Sequence, residues 1–547
     1  MPTLQFKGRN IIWNHNLSIP YHTLEEEESL GFQSSKSNGN LIVEGDNLIA
    51  LKSLLPQYTG KVKCIYIDPP YNTGNEGWVY NDNVNSPMIS DWLGKTVAKD
   101  DMTRHDKWLC MMTPRLKLLR ELLSDKGAIF ISLDDNELSN CIALCNEIFG
   151  EANFRNVVII RRGIKSVQAQ FDTVDKLNFG FEYVLCYTKN SSYRFKKFEI
   201  ELENAKEGGW NNHWRGTDRP TMRYKLFGIK PDTGQWRWGE QRSQIAVDNY
   251  IELLAEFDKT KIELNQENID AYYTKVLEET GEELDFVRLS NTGKPEHYVP
   301  PTDSKLASNH WNDLKPNGSS QLKAIFKKKV FENPKSTDLI KRIIRFVEGD
   351  EKEIIVLDSF AGSGTTGHSV LDLNKEDGGK RKFILVQMSE SSESEPKKNI
   401  CKDITRERVK KAIEKYDLKS GFKYLKVGSS LDSESLLEGK LPTYLQFAKY
   451  VHHICTGENL PDSKKVDASK YYISTVGNSV IYLVYKQDYN ELTRLALNLS
   501  LAEQIRKDHP KKKVIVYAPA CFLDEDYLEE HQIQFVSIPY NLFQRNN

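Results

Sequence analysis

Cys64-Ile65-Tyr66-Ile67-Asp68-Pro69-Pro70-Tyr71-Asn72-Thr73-Gly74 is the stretch around which the rest of the chain is organised. Its first four residues favour a buried strand, and two prolines then forbid that strand from continuing. An acid, a free carbonyl and an aromatic ring are thereby delivered at a strand's carboxyl end, the place where open α/β sheets keep their chemistry.

Such a trio suits methylation of the exocyclic amino group of a nucleobase. That nitrogen is a poor nucleophile, because its lone pair is delocalised into the ring. Asp68 and the carbonyl of Pro69 can accept its two hydrogens and draw it toward a tetrahedral geometry from which the lone pair attacks. Tyr71 can stack on a base taken out of the duplex, since a stacked base reaches no such pocket. The plainer alternative is a strand and a Pro-Pro turn with an exposed Asp68.

A second strand and turn lie far downstream. Ile354-Ile355-Val356-Leu357-Asp358 reads as a buried strand, and Ser359-Phe360-Ala361-Gly362-Ser363-Gly364-Thr365-Thr366-Gly367 as a small-residue turn opening a helix. Glycines let the backbone approach a ligand closely, and a helix start offers free N–H groups. A phosphate-binding loop is the rival reading, but His368 stands where that loop needs its lysine. Lys382 to Gln387 is the next strand. If the turns at 68 and 362 act together, their strands must be neighbours in a parallel sheet, because a methyl group moves only between aligned atoms.

With Glu44-Gly45-Asp46-Asn47-Leu48 before it, and Trp108 to Leu116 and Gly127 to Glu137 after it, the Asp68-Pro69-Pro70-Tyr71 stretch resembles motif IV of the amino-methyltransferases that modify adenine N6 or cytosine N4 in DNA. Over most of positions 40 to 425 the chain resembles the modification (Mod) subunits of Type III restriction-modification systems. The D-P-P-Y spelling implies adenine more than cytosine. The glycine turn resembles motif I, which cradles S-adenosylmethionine. Phe331 to Arg342 resembles motif X, which closes over the cofactor's methionine end.

The resemblance implies catalysis by Asp68, Pro69, Pro70 and Tyr71. It implies cofactor contacts from Asp46, Asp68, Asn333, Pro334, Lys335, Asp358, Phe360, Ala361, Gly362, Gly364, Thr365, Thr366 and Gln387. Asp46 reads equally well as a helix N-cap. Many methyltransferases have an acid for the ribose where this chain has Gln387, and Glu390 is the nearby substitute. The family's base-pocket aromatic falls among Phe179, Phe181 and Tyr183, for which core packing is the competing role.

The motif order is that of the β class, so the implied fold is α/β: a permuted Rossmann-like methyltransferase sheet with an inserted target-recognition domain and a small C-terminal α/β domain. Implied partners are double-stranded DNA, a second copy of the chain and a restriction subunit. The alternatives are a cytosine-N4 enzyme or a stand-alone methyltransferase.

The chain of 547 residues has room for several domains and carries a net charge of −2, so any DNA surface must be local. No apolar run approaches the roughly 18 residues of a membrane span, and no signal-peptide core opens the chain, so a cytoplasmic enzyme is expected. The eight cysteines are scattered in apolar contexts and read as reduced, buried thiols. Cys141 and Cys145 lack the further ligands of a zinc site, and no metal is expected.

Residues 1–39 read as a peripheral arm, 40–194 as the first part of the catalytic domain, 326–420 as its second, cofactor-binding part, and 421–547 as a C-terminal interaction domain. Between the catalytic parts, residues 195–325 interleave aromatic and basic side chains and read as the recognition domain. Within it Trp214, Arg215, Arg223, Tyr224, Trp236 and Arg237 are candidate DNA contacts, joined by Arg161 and Arg162 beside the catalytic face. The competing reading makes the tryptophans core. The long loop from Asn72 to Thr103 is expected to order over DNA.

Overall fold

The computed structural model describes residues 3–73, 103–163, 177, 180–217, 219–390, 399–432, 435–436 and 438–538. Most of the loop expected to order over DNA, together with Phe179, lies outside the described residues.

Ten strands pair into one sheet: β1 (His22–Glu26), β2 (Leu41–Glu44), β3 (Val62–Ile67), β4 (Leu123–Leu133), β5 (Phe154–Arg161), β6 (Phe181–Thr188), β7 (His310–Trp311), β8 (Ile355–Asp358), β9 (Lys382–Gln387) and β10 (Lys423–Ser430). Their order is β1-β10-β2-β9-β8-β3-β4-β6-β5-β7. From β10 to β4 every neighbouring pair is parallel. Such strands are covered on both faces, and all six residues of β3 are accordingly buried.

Strand alternation sorts the side chains into two layers. Ile65, Ile67, Leu357, Ile384 and Val386 belong to one core. Cys64, Tyr66, Val356, Phe383 and Leu385 belong to the other. Helices α1 (Asn47–Tyr58), α2 (Arg104–Leu122) and α3 (Leu138–Phe149) supply the first layer, and α4 (Thr337–Glu348), α5 (Thr365–Asp377) and α6 (Glu407–Tyr416) the second. In α4 the residues Leu339, Ile340, Ile343, Ile344 and Val347 make a wholly buried stripe at helical spacing. The Ser336 side chain caps its start, accepting from the Asp338 N–H at 3.1 Å.

The chain leaves β3 through α2 to reach β4, and leaves β8 through α5 to reach β9, on opposite faces and in opposite directions. The crevice between the carboxyl ends of β3 and β8 is thus the topological switch point of the sheet. Their register sets Cys64 opposite Val356 and Ile65 opposite Leu357.

Several expected boundaries shift. The N-terminal segment is no mere arm: β1 is an edge strand on β10, and Arg9 pairs with Glu147 of α3 at 2.7 Å. The large sheet runs past 420, because β10 lies beside β2. The second compact unit is Lys197–Ser308 rather than 195–325. Residues after 308 return to the first unit, where β7 extends the sheet and the helix Gly318–Phe326 packs closely under Pro334 and Lys335.

The C-terminal region belongs to the first unit too. Its helix Tyr444–Thr456 contributes Phe447, Ala448, Tyr450 and Val451 to the core under α1. Beyond it, Tyr472–Val476, Ser479–Leu483, Lys513–Ala518 and Ile533–Ser537 form a four-stranded sheet with a core of its own. Of the eight free cysteines, Cys110, Cys455 and Cys521 are half-buried rather than buried. No described helix is long and apolar enough to cross a membrane.

Lys197–Ser308 consists of short ribbons around two helices, Glu240–Thr260 and Gln266–Thr280. One small core gathers Tyr224, Leu226, Trp236 and Val247, and another Leu253, Phe257, Ile269 and Tyr273.

Candidate active site

After β8 the chain turns through Gly362 at φ 50° and Gly364 at φ 77°, both left-handed. Asp358 builds this turn from beneath. Its carboxylate accepts from the Phe360 N–H at 3.0 Å and from the Thr366 hydroxyl at 2.6 Å. The group is almost fully buried, and burial pushes its pKa up to about 7, against the two hydrogen bonds that lower it. Asp358 therefore shapes the turn from which the cofactor contacts were expected.

Gln387 braces the same turn, its side-chain oxygen accepting from the Gly362 N–H at 2.7 Å. Its amide nitrogen donates to Glu390 at 2.7 Å, which holds that acid at the carboxyl end of β9. Gln387 is thus a strut, and Glu390 is the carboxylate it presents. Ala361 is fixed by its N–H on the Val386 carbonyl at 3.2 Å.

Arg408 lies wholly buried against the turn, with Nη1 2.9 Å from the Ser363 hydroxyl and 2.6 Å from that of Thr365. Burial depresses the guanidinium pKa to about 9. Asp46 caps α1, accepting from Leu48 at 2.8 Å and Ile49 at 3.3 Å. The next residue, Asn47, donates to the Ser359 carbonyl at 2.9 Å and accepts from Arg115 at 2.6 Å, so the start of α1 is tied to the glycine turn.

At the end of β3 the Pro-Pro turn is held from both sides. The buried Trp108 of α2 donates its indole N–H to the Pro70 carbonyl at 2.7 Å. Asn72, at φ 59° and fully buried, donates to the Arg104 carbonyl at 3.1 Å and to the carboxylate of Glu137. His105 and Asn140 also bond Glu137, at 2.7 and 2.8 Å.

Tyr71 then meets two residues from elsewhere in the chain. Its hydroxyl donates to Glu182 of β6 at 3.2 Å and accepts from the ammonium of Lys335. That ammonium lies 2.7 Å from Glu182 and 3.3 Å from Asp68. The three charged side chains retain only 15–27% exposure. Burial raises the Asp68 pKa, Lys335 opposes the rise, and Glu182 adds to it. Burial works against the Lys335 charge, yet Asp68 and Glu182 outweigh it and hold the amine protonated. Burial also opposes the Glu182 charge, but Lys335 prevails and keeps that carboxyl below its usual range.

Lys335 was expected on the cofactor. Its ammonium touches Asp68, Tyr71 and Glu182, and its backbone carbonyl accepts from the Thr365 hydroxyl at 3.3 Å and so joins this segment to the glycine turn. Pro334 beside it is buried, whereas Asn333 is exposed at φ 47°. Among the base-pocket candidates, Phe181 and Tyr183 contact each other, and the Tyr183 hydroxyl bonds Asp135 at 2.8 Å. Glu182 between them, on the other side of the strand, is the residue that reaches Tyr71.

The candidate DNA contacts divide. Tyr224 and Trp236 are core of the second unit: the Tyr224 hydroxyl is bonded to Ser243, and the Trp236 indole to the Tyr224 carbonyl. Arg223 is half-buried, donating to the Gly234 carbonyl at 2.8 Å. Trp214, Arg215 and Arg237 are exposed. In the first unit Arg161 is exposed, and Arg162 lies 3.5 Å from Glu182. Sequence reasoning missed Glu182, Asn72, Glu137 and Arg408. A lone acid inside the strand Phe181–Thr188, and an arginine beside Val409 on the apolar side of α6, were the available signals.

Comparison with known proteins places this geometry in a context. The sequence profile of a family described as DNA methylase matches residues 62–414. The chain is 32% identical over 410 residues to the StyLTI Mod subunit, a Type III restriction-modification enzyme subunit of Salmonella typhimurium, covering 70% of this chain and 58% of that protein. It is 31% identical over 420 residues to the EcoPI Mod subunit of Escherichia phage P1, covering 68% and 61%. It is 30% identical over 459 residues to the EcoP15I Mod subunit of Escherichia coli, covering 74% and 68%. The chain spans less than two thirds of the length of the first two of these relatives.

Proposed function

Because the chain belongs to the DNA methylase family, alongside the Mod subunits of Type III restriction-modification enzymes, we propose that it methylates N6 of an adenine flipped out of duplex DNA, using S-adenosylmethionine. The observation that carries this reading is the pairing of Ile65 with Leu357. It brings the acid turn and the glycine turn to adjacent strand ends at the switch point of one sheet.

The residues present fit the cofactor. The turn from Phe360 to Thr366 has no side chain at 362 or 364 and ends at the start of α5, which offers N–H groups to a carboxylate. Glu390 and Asp46 stand at the ends of β9 and β2 as acceptors for hydroxyl or ammonium hydrogens. When bound, S-adenosylmethionine supplies an electrophilic methyl group on a sulfonium.

The protein's own part is to prepare the amine. Asp68 accepts one hydrogen of the adenine amino group and the Pro69 carbonyl the other, which localises the nitrogen lone pair. The Pro70 carbonyl is already engaged by Trp108. Tyr71 offers its ring to the base, and Asp68 holds a proton from the amine as the new bond forms. Lys197–Ser308, with Trp214, Arg215 and Arg237 on its surface, reads the target sequence. Two copies of the chain sharing one duplex, and a separate restriction subunit, complete the assembly in this reading.

Replacing Asp68 with Ala tests the mechanism. Transfer of labelled methyl groups to DNA should fall by about 100-fold or more, while S-adenosylmethionine affinity in a calorimeter stays within about threefold, a change under 1 kcal/mol. Normal turnover by Asp68→Ala would falsify the assignment. Sequencing that reports modified bases, on DNA from cells expressing the chain, should find N6-methyladenine in one short motif. N4-methylcytosine there would replace the adenine reading with its alternative.

A further inference from the structure

Lys335 occupies an unexpected position for a residue beside a methyl donor. Its ammonium lies 3.3 Å from Asp68 Oδ1, bonds the Tyr71 hydroxyl and sits 4.8 Å from the centroid of the Tyr71 ring. Asp68 is the acid assigned above to the incoming amino group, and the ammonium meets Tyr71 at its hydroxyl edge. An ammonium carries donor hydrogens as an amine does, and Lys335 stands at ion-pair distance, 3.3 Å, from Asp68 Oδ1, a buried oxygen without a hydrogen bond of its own.

Glu182 gives the ammonium a second partner. Its Oε2 is 2.7 Å from Lys335 Nζ, and its Oε1 is 3.5 Å from Arg162 Nε. Two carboxylates and two cations thus balance, with Lys335 bridging the pair. Losing Asp68 to a substrate leaves Lys335 on Glu182, and its charge remains compensated.

We propose that Lys335 and Glu182 form a latch on the acceptor pocket, in which the Lys335 ammonium stands in for the target amino group until an entering base displaces it from Asp68 and Tyr71 onto Glu182. Lys335 is then a positioning residue that sets how readily a base is admitted, and Glu182 tunes it. Glu182 also accepts from the Tyr71 hydroxyl at 3.2 Å, but its hold on the latch runs through Lys335: without that carboxylate, the ammonium is held more firmly by Asp68. The inference rests on the amino-methyltransferase reading of the same site.

The test uses the full chain, a duplex that keeps the target adenine and carries 2-aminopurine beside it, where it brightens when its stacked neighbour leaves, and saturating S-adenosylhomocysteine. Fluorescence reports the fraction of base that leaves the stack. Lys335→Met should raise that fraction severalfold over wild type, Glu182→Gln should lower it, and the double variant should match Lys335→Met. If Lys335→Met melts below wild type, Lys335→Gln, which removes the charge but keeps a polar end, carries the same expectation. A fraction unchanged or lowered when Lys335 is replaced overturns the latch, and so does a Glu182→Gln effect as large without Lys335 as with it. Wild-type methyl transfer, measured alongside, separates the two readings. If wild type neither methylates DNA nor frees the base, the enzymatic reading fails. If it does both and the variants do not behave as stated, the latch alone fails.

Discussion

Trp108 donates its indole N–H to the carbonyl of Pro70 across 2.7 Å, from a side chain with no exposed surface. The bond joins the first half of α2 to the turn that carries Asp68 and Tyr71. It fixes the direction of the peptide between the two functional side chains. Phenylalanine at 108 would keep most of the packing but leave a buried carbonyl without its donor, at a cost of about 1–3 kcal/mol. Trp108→Phe should therefore fold, melt somewhat lower and lose at least about tenfold in methylation kcat, the effect of displacing a group that must be aligned. An unchanged kcat would mean that the turn does not need this anchor.

Gly362 and Gly364 are both left-handed, but their surroundings differ. A Cβ on Gly364 would lie 2.9 Å from the Thr405 carbonyl oxygen, which is backbone, whereas one on Gly362 would lie 3.2 Å from the Phe331 ring, which can move. Alanine in this conformation costs about 1–2 kcal/mol before any clash. Gly364→Ala should thus lower both the melting temperature and the affinity for S-adenosylmethionine. Gly362→Ala should lose affinity with a smaller change in melting. Calorimetry and thermal melts on the two variants separate these effects, and equal behaviour would contradict the assigned contacts.

Four of the buried histidines make the protein most sensitive to acid. Burial is the main cause in each: His213, His297 and His15 are depressed to about 4, and His368 to about 3. Arg237 adds to the effect at His213 and His297, while Asp285 opposes it. An unfolded imidazole titrates near 6.5, so below that pH the unfolded chain takes up protons that the folded chain refuses. The stabilisation is complete above about pH 6.5 and is lost as pH falls from there toward 4. His213 stacks on Trp236, so the emission that Trp236→Phe removes follows the second unit. His213→Gln should flatten the acid slope of that signal, and an unaltered slope would show that other groups govern it.

Much of the site was legible because it is written in backbone chemistry. Two prolines after Ile67 and the small residues from Ala361 to Gly364 constrain the chain wherever it goes, and both turns formed at strand ends. Their adjacency could be required by chemistry but not read from local sequence, since the pairing of Ile65 with Leu357 is a long-range choice. Glu182 and Lys335 were harder to read for the same reason. Each has a bland local setting, and their roles arise only when three distant segments meet at Tyr71. In the second unit, alternating aromatic and basic residues did not reveal which would be buried. Tyr224 and Trp236 went to the core, while Trp214 and Arg237 stayed at the surface.

The end of the second unit decides how target recognition can be tested. Asn309 donates its side-chain amide to the Val157 carbonyl at 2.8 Å, and β7 follows it into the large sheet. Asn317 bonds Ser336 and Asp338 at 2.7 and 3.0 Å, at the cap of α4, and the Gln321 side chain accepts from the Thr337 N–H at 2.9 Å. These contacts hold the segment carrying Lys335. Exchanging 195–325 for the matching stretch of a relative would replace them along with the recognition surface, and should lower methylation of any sequence. Exchanging 197–308 leaves them in place, so the chimera should methylate at a rate near wild type but in the relative's motif. Within that stretch Arg215 and Arg237 are exposed, and alanine at either should weaken DNA binding and shallow its salt dependence. Sequencing of modified bases reads the outcome. If the 197–308 chimera keeps the original motif at full activity, sequence reading lies outside this unit.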